Sequence, residues 1–179
     1  MAALELPTLA ARDCLLRPWA LEDAEALREA CGDEDICRFT TIPRRYSEDA
    51  AAQWIARQHA HASAGTAVVL AIVADGEHQP AGMVGLFGLD QPGHLARFGY
   101  WLLARARRRA LATCAARALG DWAFASLGLE AIAIDCEPGN VASARVAAHL
   151  GGTRTGSRRV RVGATEVELE RYTLTRRPG

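Results

Sequence analysis

The sequence contains no lysine: all 21 basic residues among its 179 are arginine. Any mechanism built on a lysine, such as a Schiff base or a phosphate-binding Walker lysine, is therefore excluded. With the abundance of alanine, this reads as the coding bias of a GC-rich genome. Long apolar runs are also missing. The longest, Ala67 to Ala74, is far short of the ~20 residues that span a bilayer as a helix. The start carries Glu5 and Asp13 and no basic-then-apolar pattern, so no secretory leader is expected. No Cys-x-x-Cys pair occurs. The five cysteines, Cys14, Cys31, Cys37, Cys114 and Cys136, lie in or beside apolar stretches, and their number is odd. They read as small buried thiols of a cytoplasmic protein, with neither a metal site nor a disulfide scaffold.

What is present is ordinary globular composition: 19.2 kDa, 50% apolar and 23% charged, which predicts one α+β domain over residues 1–179. The net charge is zero, but it is unevenly placed. Residues 1–50 hold six arginines against eleven acids, and residues 101–179 hold thirteen against seven. The C-terminal half is thus suited to an anion and the N-terminal part to a cation.

Strands are expected at Cys14 to Leu16, Ala67 to Ala74, Gly82 to Leu89, Leu95 to Leu103, Ala131 to Cys136, Thr153 to Val162 and Thr165 to Thr175. The second and third, joined through Asp75-Gly76, read as an antiparallel hairpin. Helices are expected at Leu21 to Cys31, from the cap Ser47 to about His61, from about Arg108 to Ser126, and at Val141 to Leu150 after the cap Asn140. Residues 33–46 read as polar turn.

The most informative stretch is 100–113, where a strand ends, a basic loop follows and a long helix begins. Unpaired N–H groups and the dipole at a helix start favour an anion, and Arg105, Arg107, Arg108 and Arg109 add charge. A phosphorylated ligand fits this pattern; so does a solvated basic turn or a nucleic-acid patch.

This stretch resembles motif A of the GNAT superfamily of N-acetyltransferases, whose loop reads Q/R-x-x-G-x-G/A; here it is Arg105-x-x-Arg108-x-Ala110. Flanking residues agree: Gly99-Tyr100-Trp101-Leu102 before, and Leu111-Ala112-Thr113 and Ala118-Leu119-x-x-Trp122-Ala123-Phe124 after. Downstream, Pro138-Gly139-Asn140-Val141-Ala142-Ser143-x-Arg145-Val146 and Leu150-Gly151 are similar to the family's P-x-N-x-x-S-x-x-V…L-G signature. Leu16-Arg17-Pro18-Trp19 with Asp23-Ala24 resembles its opening strand and helix. The likeness spans nearly the whole chain and is greatest to the branch of ribosomal-protein N-terminal acetyltransferases.

The resemblance implies a GNAT-like α+β fold. Its central sheet would be mixed and mostly antiparallel, splayed between the fourth and fifth strands and flanked by about four helices. It implies acetyl-CoA as acyl donor and no metal. The pyrophosphate would lie on the backbone N–H groups of Arg107 to Leu111, with Arg105, Arg108, Arg109, Ala110 and Ala112 around it. The pantetheine arm would run beside Trp101, Leu102 and Leu103. Asn140 would bond the pantetheine or a nearby water, and Ser143 would sit near the sulfur, with Tyr100 as a further catalytic candidate. An amine, on a protein N-terminus or a small molecule, would attack the thioester directly; the acidic first third would favour a cationic acceptor. Neither nucleic acid nor membrane is an expected partner, and a homodimer is left open.

Two residues depart from the family pattern. Arg108 stands at the loop's first glycine, where it either grips a phosphate or crowds the site. Arg97 stands where relatives often carry a glutamate base, so proton removal would pass to His94, to Asp90 or to water. These departures motivate a rival reading, a non-catalytic acyl-CoA-binding protein. Single residues also have plain structural roles. Asn140 caps a helix in either case, Tyr100 suits a core, and Trp54, Trp101 and Trp122 suit apolar faces. Pro43 to Tyr46 is either a turn or part of an acceptor pocket.

Overall fold

Ala67–Ala74 is buried at every position, where a strand with one wet face would alternate. Both faces are covered. Val68, Leu70, Ile72 and Ala74 enter one apolar layer, and Ala67, Val69 and Ala71 enter the other. This is the pattern of a central strand with helices on both sides. A computed structural model describes residues 3–45, 47–91, 95–162 and 165–176. The proposed base His94 and the loop residue Tyr46 lie outside these described residues.

The elements are β1 (Leu9–Ala11), β2 (Cys14–Pro18), α1 (Ala24–Cys31), α2 (Glu34–Phe39), α3 (Glu48–Ser63), β3 (Ala67–Ala74), β4 (Gly82–Phe87), β5 (Leu95–Leu102), α4 (Leu111–Ser126), β6 (Ala131–Cys136), α5 (Val141–His149), β7 (Thr153–Val162) and β8 (Thr165–Thr175). They form one eight-stranded sheet in the order β1-β2-β3-β4-β5-β6-β8-β7. Every pairing is antiparallel except β5 with β6. The mixed, mostly antiparallel sheet and the β3–β4 hairpin are as expected.

Three expectations need correction. A short strand, β1, precedes the first predicted one, so the predicted fourth and fifth strands are β5 and β6. The stretch read as turn contains α2, a fifth helix, whose N-cap Asp33 accepts the Ile36 N–H at 3.1 Å. The long helix begins at Leu111 and not near Arg108, because Arg108 and Ala110 take left-handed φ values of 62° and 57° and so cannot continue a right-handed helix.

α4 packs along one face through Leu111, Ala115, Leu119 and Ala123, all fully buried. Its small residues bring it close to the sheet; a Cβ on Gly120 would touch the Phe98 ring at 3.4 Å. The other face carries α1 and α3 over Trp19, Met83, Trp101 and Leu103. The sheet opens in the middle. β5 pairs with β6 only from Leu95↔Ala131 to Phe98↔Ile134. β5 then continues beside β4 to Leu102, and β6 continues beside β8 to Cys136. Past Phe98 the two strands therefore face each other unpaired, which is the splay the resemblance implies.

Candidate active site

The open strand edge and the basic loop are continuous. The Leu103 N–H bonds the Ala81 carbonyl at 2.9 Å, so residue 103 points toward β4. By strand alternation, the backbone groups of Tyr100 and Leu102 point the opposite way, into the splay. A bound extended chain would find its hydrogen bonds there, although Arg107 Nε already donates to the Leu102 carbonyl at 3.2 Å. Trp101 itself is a core residue, 4% exposed, with its ring 6.1 Å from that of Trp19. Leu103 is equally buried.

After Leu103 the chain makes one 3-10 turn, Ala104–Ala106. The Arg107 N–H bonds the Ala104 carbonyl at 3.3 Å, so this member of the expected Arg107 to Leu111 set is already used. The first helical bond of α4 runs from Cys114 N–H to the Ala110 carbonyl at 3.0 Å, and no side chain caps the helix. Among the described residues, the N–H groups of Arg108, Arg109, Ala110, Leu111, Ala112 and Thr113 thus have no acceptor. The two left-handed residues turn the chain so that consecutive N–H groups meet the helix start. That is the geometry of a backbone anion nest.

The arginine side chains behave differently from expectation. Arg105 pairs with Glu77 at 2.8 Å and Glu29 at 3.5 Å. Arg107 grips both carboxylate oxygens of Asp33 at 2.7 Å and reaches Asp35 at 3.1 Å. Arg109 pairs with Glu77 at 2.9 Å. Burial works to raise the Asp33 carboxyl, but the Arg107 guanidinium and the Ile36 N–H outweigh it and hold the group below the usual carboxylate range. The acidic first third and the basic loop, read as separate attractors of a cation and an anion, are joined: Glu29, Asp33 and Asp35 hold Arg105 and Arg107. Arg108 is the exception: it is exposed and has no partner among the described residues. Its guanidinium is free to meet a phosphate.

Across the splay, β5 and α5 bring two expected residues together. The Tyr100 hydroxyl lies 2.7 Å from Ser143 Oγ. Asn140 Oδ1 accepts the Ser143 N–H at 3.1 Å, capping α5. Burial pushes the Tyr100 phenol far above its usual value, against the opposing effect of the Ser143 hydrogen bond. Burial likewise raises the Cys136 thiol, which also meets Ser143. The phenol and the thiol thus stay protonated at neutral pH, linked through one hydroxyl. Cys136 is therefore more than a small buried thiol, and its place at the end of β6, seven residues before Ser143, is the sequence signal for it. Asp33 as partner of Arg107 had no local signal, since the two lie 74 residues apart.

The geometry combines an anion nest, an adjacent open strand edge and a proton-holding pair beside it. The model of the acetyltransferase (GNAT) domain matches residues 13–153. The chain belongs to that acetyltransferase family. It is similar to YdaF of Bacillus subtilis (strain 168), whose name assigns it provisionally to the ribosomal N-acetyltransferases. Identity is 33% over 98 residues, which span 54% of this chain and 54% of that protein. The fold is shared with the microcin C7 self-immunity acetyltransferase MccE, solved with acetyl-CoA and AMP: TM-score 0.81, 20% identity, covering 91% of this chain and 92% of that one. It is shared also with Mycobacterium smegmatis RimJ, solved with a CoA-disulfide: TM-score 0.81, 21% identity, covering 95% and 86%. Among the described residues, no cluster of His, Cys, Asp or Glu could hold a metal, and no helix is long and apolar enough to cross a membrane.

Proposed function

We propose that residues 1–179 act as one N-acetyltransferase unit that moves an acetyl group from acetyl-CoA to a primary amine. The observation that carries this reading is the continuity of the unpaired N–H groups at 108–113 with the open β5 edge at Tyr100 and Leu102. The first fits a pyrophosphate and the second an extended pantetheine arm. Acetyl-CoA bound there supplies an acetyl thioester. The residues of this chain hold and orient it. The nest takes the pyrophosphate and Arg108 adds one unpaired charge. Asn140 fixes the start of α5, so that Ser143 Oγ stays on the Tyr100 hydroxyl. Those two hydroxyls hold a proton between them, which would be available to a thiolate leaving group.

The acceptor is a protein N-terminus or a small amine. The name of YdaF assigns that relative provisionally to the ribosomal N-acetyltransferases, and RimL, which shares the fold, is named for alpha-N-protein acetylation of ribosomal L7/L12; both favour an N-terminus. None of the five cysteines is in a disulfide, as suits a reducing cytoplasm. A homodimer is compatible with this reading, and nucleic acid is not part of it, because three of the four loop arginines are already paired. The test is release of free CoA from acetyl-CoA with a panel of amines. Turnover above the amine-free blank supports the reading. Binding without turnover by any amine would favour the non-catalytic alternative.

A further inference from the structure

Arg97, Gly99 and Trp101 alternate onto one face of β5, opposite to Tyr100 and α4. Arg97 is half-buried and has no hydrogen bond or ion pair among the described residues. Its guanidinium lies over Gly88, where a Cβ would sit 3.3 Å from Nη2. The acid on that face of the neighbouring strand β6 is already spent. Arg97 faces Ala133 across the parallel pair, so Asp135, two residues on, lies on the same side. Asp135 accepts two hydrogen bonds from Arg171, at 2.7 and 2.8 Å, and lies 3.5 Å from Arg158. Asp135 is thus taken by two arginines, and Arg97, the arginine nearest the start of the splay, has no partner among the described residues.

Between Arg97 and the open edge lies an aromatic floor. Gly85 and Gly99 pair across β4 and β5. A Cβ on either would meet the Phe87 ring, at 3.1 Å and 2.8 Å respectively. The two glycines let this ring lie flat on the sheet at the entry to the splay.

We infer that the acceptor is an extended peptide N-terminus with an acidic side chain at its second or third residue. Its amine enters the splay, its backbone crosses Phe87, and its carboxylate meets Arg97. The spacing selects a peptide over a free amino acid. The backbone from Arg97 to Tyr100 spans about 10 Å, and the two side chains lie on opposite faces, whereas an α-carboxylate sits within about 4 Å of its own amine. This departs from the expectation of a cationic acceptor; Asp23, Glu29 and Asp33 of the acidic first third are already held by Arg17, Arg105 and Arg107.

The inference rests on the acetyltransferase reading, and the test separates the two. Three peptides differing only at the third residue, Glu, Gln or Lys, serve as acceptors. The wild type acetylates the Glu peptide with kcat/KM about tenfold above the Gln peptide. Arg97→Gln abolishes that ratio, and Arg97→Glu turns the preference toward Lys. As a readout free of turnover, the N-acetylated Glu peptide is titrated onto the CoA-loaded protein; its affinity falls about tenfold in Arg97→Gln. Thermal melting and acetyl-CoA affinity establish that each variant is folded. An unchanged ratio in Arg97→Gln, or equal rates for all three peptides in the wild type, overturns the inference. Turnover confined to free small amines does so too and leaves the acetyltransferase reading standing. Absence of turnover above the amine-free blank with every peptide and small amine overturns both.

Discussion

Arg108 concentrates the residue-scale argument. A side chain at φ 62° costs about 1 kcal/mol that glycine does not incur. Arg108→Gly should therefore raise stability by up to about 1 kcal/mol, the gain being trimmed by glycine's extra freedom in the unfolded chain. Arg108→Ala keeps the Cβ and should show no gain. Thermal melts of the two variants decide it; equal melting points would contradict the strain argument. Cys14 supplies a pH test. Burial, with smaller contributions from Cys114, Asp75 and Asp13, raises its thiol from 9.0 to about 11. The unfolded chain thus loses this proton first as pH rises. Stability from this group is complete below pH ~9 and disappears as pH climbs through ~11. Between those values the wild type should lose about 2 kcal/mol more than Cys14→Ala, measured by urea unfolding at each pH. Parallel losses would remove Cys14 from the account. The third test concerns Tyr100 and Ser143, which share one short hydrogen bond. Tyr100→Phe and Ser143→Ala should each lower kcat by about 100-fold, and the double variant by little more, because the pair acts as a unit. Fully multiplicative losses would show two independent roles.

At the scale of elements, the chain was legible where patterns are local. The buried run Ala67–Ala74, the caps Ser47 and Asn140 and the 3.6-residue spacing of Leu111, Ala115 and Leu119 each mark their element without help from the rest of the fold. α2 was not legible. It has six residues, one fully buried apolar side chain, Ile36, and too little periodicity to tell it from a turn. Its stability comes from the Asp33 cap and from the grip of Arg107, a residue brought over by the fold. Asp33→Ala should consequently cost about 2 kcal/mol at pH 7, from the lost cap and from the Arg107 charge left with Asp35 alone. Asp33's carboxyl is held low in the folded state, so its contribution is present above pH ~4 and fades as pH falls below its folded value. Wild type and Asp33→Ala should therefore converge in strongly acidic solution. A constant gap in stability down to pH ~2 would contradict this. The start of α4 was misplaced for a related reason: arginine and alanine give no local sign of a left-handed backbone, whereas the glycines usual in the family would have given one.

For the whole molecule, the uneven charge was visible in the sequence but its purpose was not. Six arginines against eleven acids at one end and thirteen against seven at the other look like two surfaces for two ligands. Folding brings Glu29, Asp33, Asp35 and Glu77 onto Arg105, Arg107 and Arg109. The charges are thereby spent in fixing the loop against α1, α2 and the β3–β4 turn. What remains in the loop for an anion is mainly backbone: the N–H groups of 108–113, with the guanidinium of Arg108, which has no partner among the described residues. The sheet opens beside that nest because β6 leaves β5 after Phe98 and Ile134. The central claim is that this nest and this edge hold acetyl-CoA although an arginine stands in the loop's first glycine position. Calorimetric titration of the purified protein with acetyl-CoA tests it most directly. The account predicts one site per chain with a dissociation constant in the micromolar range, roughly −8 kcal/mol; no measurable heat at millimolar acetyl-CoA would contradict it.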